Sequence, residues 1–229
     1  MRVQTKKRGL PMMWACLAAG CLLLFLGGCA SRVSVERSTA GAEPETVLVL
    51  PFQNMAERHP GGNPVRSPIS GKVFPTGPVM EGAEAMLTRQ VVENLNQRDK
   101  YTVIGPGRAR AALSQMSLKN EDLVPDRLVA MRMGELTGAD VVVAGFVYRF
   151  KDRVGTSYGV DSPAAVAFDL HLVQVSTGRL LWSAAVDEAQ VSLSEDLFQV
   201  GKFIERKGHW VTAPQMARAA LAEALSRFP

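Results

Sequence analysis

The stretch from Leu10 to Cys29 sets the terms for the rest of the chain. It is apolar apart from small residues, and it follows a basic segment (Arg2, Lys6, Lys7, Arg8) that holds no acidic residue. A basic segment followed by an apolar core is the form of a secretory signal. The run closes on Leu26-Gly27-Gly28-Cys29: a branched apolar residue, two small residues, then a cysteine. Small residues let a membrane-embedded peptidase hold extended backbone in a narrow cleft, and the cysteine sulfur is the atom that takes a diacylglycerol through a thioether. The competing reading is an uncleaved anchor, because the run approaches the roughly 18–20 apolar residues a span needs. Processing is favoured: no positive cluster follows at once, and the next segment, Ser31 to Glu45, is polar. The expected organisation is a lipoprotein signal peptide over 1–28, a lipidated flexible tether over 29–45 starting at Cys29, and one α/β domain over 46–229.

Removing the signal changes what composition says. The whole chain carries 26 Lys and Arg against 22 Asp and Glu. Four of the basic residues and none of the acidic ones lie in 1–28, so the mature chain is formally neutral. No basic excess remains to track a nucleic-acid backbone. Cys16 and Cys21 leave with the signal and Cys29 is consumed by lipid, so the domain has neither a disulfide nor a thiolate to offer. Its stability must come from a hydrophobic core, and about 180 residues suffice for one.

Thr46 to Phe52 is apolar at nearly every position, which suits a central strand buried on both faces, with ladder pairing interrupted at Pro51. Gln53 to Val79 is long and rich in Gly and Pro, with a short hairpin expected through Ser70-Gly71-Lys72. An amphipathic helix is expected over Met80–Arg98, with Met80, Ala83, Leu87, Val91 and Leu95 on one stripe. A short strand at Tyr101–Ile104 ends in a Gly105-Pro106-Gly107 turn, followed by helical segments at Arg108–Met116 and from Pro125 or Asp126 to Leu136. Gly138 then serves as a left-handed cap before a strand running to Tyr148. Val166, Phe168, Leu170 and Leu172 alternate with Ala167, Asp169 and His171, the period of a half-buried strand that returns as a hairpin through Leu180–Val186. Val191 to Trp210 is ambiguous. Thr212 caps a closing helix with Pro214 in its first turn.

The chemistry-bearing residues point away from catalysis. His59, His171 and His209 have no ligand-like spacing, so no metal and no cofactor is expected. Gly155-Thr156-Ser157-Tyr158-Gly159 matches G-x-S-x-G in letters only, since it lies in a charged, glycine-containing connection and not on a strand-to-helix elbow. The adjacent pairs Asp187-Glu188 and Glu195-Asp196 diverge along the chain rather than face one substrate. Neither an enzyme nor a small-molecule substrate is expected. The place for recognition is the loop 53–79, where Arg58, His59, Arg66, Lys72 and Phe74 are the candidate partner-binding residues. Tyr148, Tyr158 and Trp210 are further aromatic candidates, with Trp182 assigned to the core.

The run Val47 to Phe52, the strand Tyr101 to Ile104, the segment Leu136 to Gly145 and the hairpin Leu172 to Ser183 together resemble the curli-secretion lipoprotein superfamily. That superfamily includes lipoprotein activators of penicillin-binding proteins, and its fold is similar to the N-terminal domain of the periplasmic Tol protein. The resemblance implies a mixed sheet with helices on both faces, an envelope location, and a partner that is another envelope protein or a second copy of the chain. Ala30 rather than aspartate after Cys29 implies, by similarity to enteric lipoproteins, release to the outer membrane, facing the periplasm. A secretion pore would need two amphipathic hairpins with about 9–11 residues per strand. Neither Arg149–Pro163 nor Asp187–Trp210 alternates over such a length. The expected function is a non-catalytic protein-binding or assembly module, the alternative a self-assembling ring subunit without its own barrel.

Overall fold

The computed structural model describes residues 33–38, 44–115, 127–156, 160–190 and 210–229. Cys29, Tyr158, His209 and most of the ambiguous 191–210 segment lie outside them.

The core is organised by β2 (Thr46–Val49), which lies between β6 (Thr102–Ile104) and β7 (Val141–Lys151), parallel to both. From β7 the sheet continues antiparallel through β10 (Ala165–Gln174) and β11 (Leu180–Ala189) to β1 (Val33–Arg37). The order is β1-β11-β10-β7-β2-β6. Apolar residues occupy consecutive positions of β2 because both of its faces are covered. Val47 and Val49 belong to one cluster, Leu48 and Leu50 to the other, and all four are buried. Ladder pairing stops at Pro51, which has no N–H to donate, and resumes at β3 (Gln53–Asn54), which pairs with Phe146 and Val147. The step between them brings the Phe52 ring against Gly145, where a Cβ would lie 2.5 Å from a ring carbon.

On the first face lie α2 (Ala83–Asn96) and α5 (Ala213–Ser226). Ala83, Leu87, Val91 and Leu95 are the buried stripe of α2, as the spacing predicts, while Met80 falls before the helix and is exposed. Thr88 ties this helix to the sheet: its hydroxyl donates to the Glu84 carbonyl at 2.7 Å and accepts from the Phe52 N–H at 3.0 Å. In α5 Thr212 accepts from the Gln215 N–H while the Gln215 side chain accepts from the Thr212 N–H, the capping box that stabilises a helix start. Phe228 just beyond α5 packs edge-on against Trp182 and Tyr101.

On the second face lie α3 (Pro106–Gln115), α4 (Arg127–Thr137), the single turn α1 (Met55–Arg58) and a hairpin of β4 (Val65–Arg66) and β5 (Val73–Phe74). Pro106 opens α3 rather than forming a separate turn, since its missing N–H is one that a first helical turn leaves unbonded anyway. Gly138 caps α4 at φ +69°, as expected. The chain runs from β2 through α2 to β6 on one side, then through α3 and α4 to β7 on the other. The carboxyl end of β2 is therefore a topological switch point, where open α/β sheets form crevices.

Two expectations need correction. Val33 to Arg37, expected within the tether, forms a sheet strand paired in register with Val186 to Trp182. Strand β10, expected to be half-buried, is buried along both faces, with Asp169 and His171 at 0 % exposure. The hairpin β4–β5 supplies the cover. Between β7 and β10, β8 (Val154–Gly155) and β9 (Val160–Ser162) form a hairpin far shorter than a barrel strand requires. Among the described residues no helix is long and apolar enough to cross a membrane.

Candidate functional site

A buried polar cluster ties the loop 53–79 to the sheet. His171 stands on the face of β10 that meets the β4–β5 hairpin. Its Nε2 lies 3.2 Å from the Ser67 hydroxyl and its Nδ1 lies 3.1 Å from the Ser183 hydroxyl. A hydroxyl both donates and accepts, so either imidazole tautomer finds a partner at each nitrogen. Asp169, two positions earlier on the same face, sets its Oδ2 2.8 Å from Nε2, at ion-pair distance though not aligned as a hydrogen bond. Its Oδ1 accepts from the Tyr148 hydroxyl at 3.2 Å. Burial, and then the Asp169 carboxylate beside it, push the Tyr148 phenol well above its ordinary pKa, so it stays a donor. Phe74 stacks flat on the Tyr148 ring at 4.2 Å and seals the cluster.

Serine, histidine and aspartate together suggest a relay, but the geometry is not one. A relay places hydroxyl and carboxylate on opposite ring nitrogens with the hydroxyl open to substrate. Here Ser67 and Asp169 both approach Nε2, and all three side chains are buried. The cluster holds the hairpin down. Unpaired, these groups would each incur a desolvation penalty of about 1–3 kcal/mol.

The five candidate residues of the loop are distributed over separate places. Arg66 and Lys72 are exposed on the hairpin; Arg66 donates to the Gly71 carbonyl at 2.7 Å, and Lys72 reaches the Ser34 hydroxyl on β1. His59 is exposed at the end of α1. Arg58 is half-buried and donates to the Gln53 side chain at 3.3 Å. Phe74 is 1 % exposed, so it is a core residue rather than a contact. Tyr148 is likewise core, and Trp182 is core as expected. Among the described residues no group of three or more His, Cys, Asp or Glu is placed to hold a metal ion.

At the carboxyl end of β2 the same loop borders a half-open cleft of about 400 Å³. Leu50, Ala109, Leu113, Val129 and Met133 make it mostly apolar, and Arg58 and Arg110 are the charged groups that line it. Arg110 is exposed on α3 and has no ion-pair or hydrogen-bond partner among the described residues. Sequence reasoning missed Arg110, since on α3 alone it is one of two solvated arginines beside an inward alanine stripe.

Fold and site define an α/β module with a seven-stranded mixed sheet, helices on both faces and a clamped surface loop. The chain belongs to the family of CsgG, the curli production assembly/transport component, whose family model matches residues 79–227. No curated protein matches the sequence. Among solved structures, the chain is similar to the PelC dodecamer from Paraburkholderia phytofirmans, with 15 % identity over 85 % of this chain and 96 % of that one at a TM-score of 0.44. It is also similar to the LpoB C-terminal domain from Escherichia coli (20 % identity, 66 % and 88 % covered, TM-score 0.42). Lipoprotein GNA1162 from Neisseria meningitidis is a further similar chain (17 % identity, 72 % and 94 % covered, TM-score 0.42).

Proposed function

We propose that this chain is a lipid-anchored, non-catalytic module of the bacterial envelope, attached through Cys29 to the outer membrane and facing the periplasm, that binds another envelope protein through the surface of loop 53–79. The observation that carries the reading is the clamped hairpin. A glycine- and proline-rich loop of this length is tied to the sheet by the Ser67–His171 contact and by Phe74 on Tyr148, while Arg66 and Lys72 stay at the surface. A rigid scaffold that presents charged side chains on a fixed loop suits recognition, because little ordering entropy is lost on binding. Membership of the CsgG family supports an assembly role over a metabolic one. The lipobox Leu26-Gly27-Gly28-Cys29 supports the anchor.

The test is crosslinking in intact cells, followed by recovery from solubilised outer membrane, for the parent, Cys29→Ser and Arg66→Glu/Lys72→Glu forms. A heterologous product present with the parent and lost with the charge-reversed hairpin is expected. Recovery of the chain alone, as a ladder of self-products, would replace this reading with a homo-oligomeric assembly. Fractionation of the Cys29→Ser form with the outer membrane would remove the lipid anchor from it.

A further inference from the structure

We propose that the cleft between α1, α3 and α4 is a docking site for an acidic peptide segment of the partner, one that seats an apolar side chain in the cleft and sets a neighbouring carboxylate on Arg110. The proposal deepens the function above and rests on the partner being a protein.

Three observations converge on it. The first is place: the cleft opens at the carboxyl end of β2, where the chain leaves to one side through α2 and returns on the other through α3 and α4. Crevices at such switch points are built by the fold itself rather than by chance surface relief. The second is charge. Two other clefts of similar size carry acidic groups: Glu45 and Asp140 line one, and Glu84 and Glu93 stand with Arg89 and Arg110 in the other, so that Arg110 borders both this acidic cleft and the one at β2. The cleft at β2 is lined by guanidinium groups and by no carboxylate among the described residues. The third is a donor without a partner among the described residues. Arg58 is held against Gln53, whereas Arg110, which lines this cleft and the acidic one beside it, is exposed and has no ion-pair or hydrogen-bond partner among the described residues. A guanidinium offers a planar fork that matches a carboxylate through two parallel hydrogen bonds. The half-open shape favours a side chain presented by a surface segment over a ligand that must be enclosed.

The experiment uses the full-length chain in lipid nanodiscs and three labelled, capped hexapeptides that alternate leucine with glutamate, glutamine or lysine. Binding is read by fluorescence anisotropy against empty nanodiscs. The leucine–glutamate peptide is expected to bind about tenfold or more tightly than the glutamine peptide, the scale of one charge-assisted pair. Arg110→Glu abolishes that preference, while Arg108→Glu, the same charge change on an exposed α3 residue that does not line the cleft, preserves it. Equal binding of the glutamine or lysine peptide, or equal loss from both variants, would overturn the proposal. So would Arg110-dependent binding of decanoate with no binding of any peptide, which would make the occupant a small amphiphile. If the cellular crosslink survives Arg110→Glu and the peptides fail, the cleft inference falls while the protein-binding function stands.

Discussion

Replacing Phe74 by alanine separates a clamped loop from a tolerant surface insertion. Phe74 is 1 % exposed, and its ring lies 4.2 Å from that of Tyr148 at an interplanar angle of 6°. Truncating a buried phenylalanine costs about 3–5 kcal/mol in transfer and cavity terms, within which the stacked pair accounts for about 0.5–1.5 kcal/mol. The cavity would open directly over Tyr148, Asp169 and His171, so water would reach a cluster that Phe74 now seals. For a domain of this size each kcal/mol moves the melting temperature by about 2–4 °C, giving an expected drop of about 6–20 °C. Thermal unfolding followed by far-ultraviolet circular dichroism measures it. Arg66→Ala, an exposed position on the same hairpin, provides the reference and should stay within about 0.5 kcal/mol of the parent. A Phe74→Ala melting point within 2 °C of that reference would refute the reasoning, because the hairpin would then contribute nothing to the core.

Two further substitutions probe the second face. In α4, a Cβ on Gly134 would stand 2.2 Å from a Val175 methyl, so Gly134→Ala should destabilise by about 1–3 kcal/mol in a urea titration despite alanine's better helix propensity; a stabilised variant would show that Val175 yields. Tyr148 has its folded-state pKa raised by burial, so its contribution is full below the unfolded value of about 10 and is lost as pH climbs above it. The stability gap between the parent and Tyr148→Phe should therefore narrow between about pH 9 and pH 11, and a constant gap would show that the phenol ionises equally in both states.

Much of the fold is legible from local pattern, where one physical rule dominates. The four apolar residues Val47 to Leu50 announce a strand covered on both sides, and Thr212 and Pro214 announce a helix start. Strand β10 defeats the same rules. Its alternation is correct, but polar Asp169 and His171 read as solvent-facing because a period-two pattern equates polar with exposed. Their cover, Ser67 and Phe74, lies about a hundred residues earlier in a loop with no period of its own. The segment Val33 to Arg37 fails for a related reason: Val33 and Val35 alternate with Ser34 and Glu36, too short a signal to stand out in polar surroundings. The cleft is invisible for a third reason. Arg58 and Arg110 approach one space only because α1 and α3 both start at the same end of the parallel strands.

The placement of β1 bears on how the oligomeric state of this chain can be measured at all. A fragment trimmed to begin at Thr46, the boundary that composition suggests, would lose the strand that covers β11. The backbone of Trp182 to Val186 would then present a bare row of donors and acceptors beside buried apolar side chains. Bare edges recruit strands, from a neighbouring molecule if their own is missing. Such a fragment would self-associate by borrowing, and the dimers or fibres it formed would report the missing strand rather than any assembly the intact chain makes.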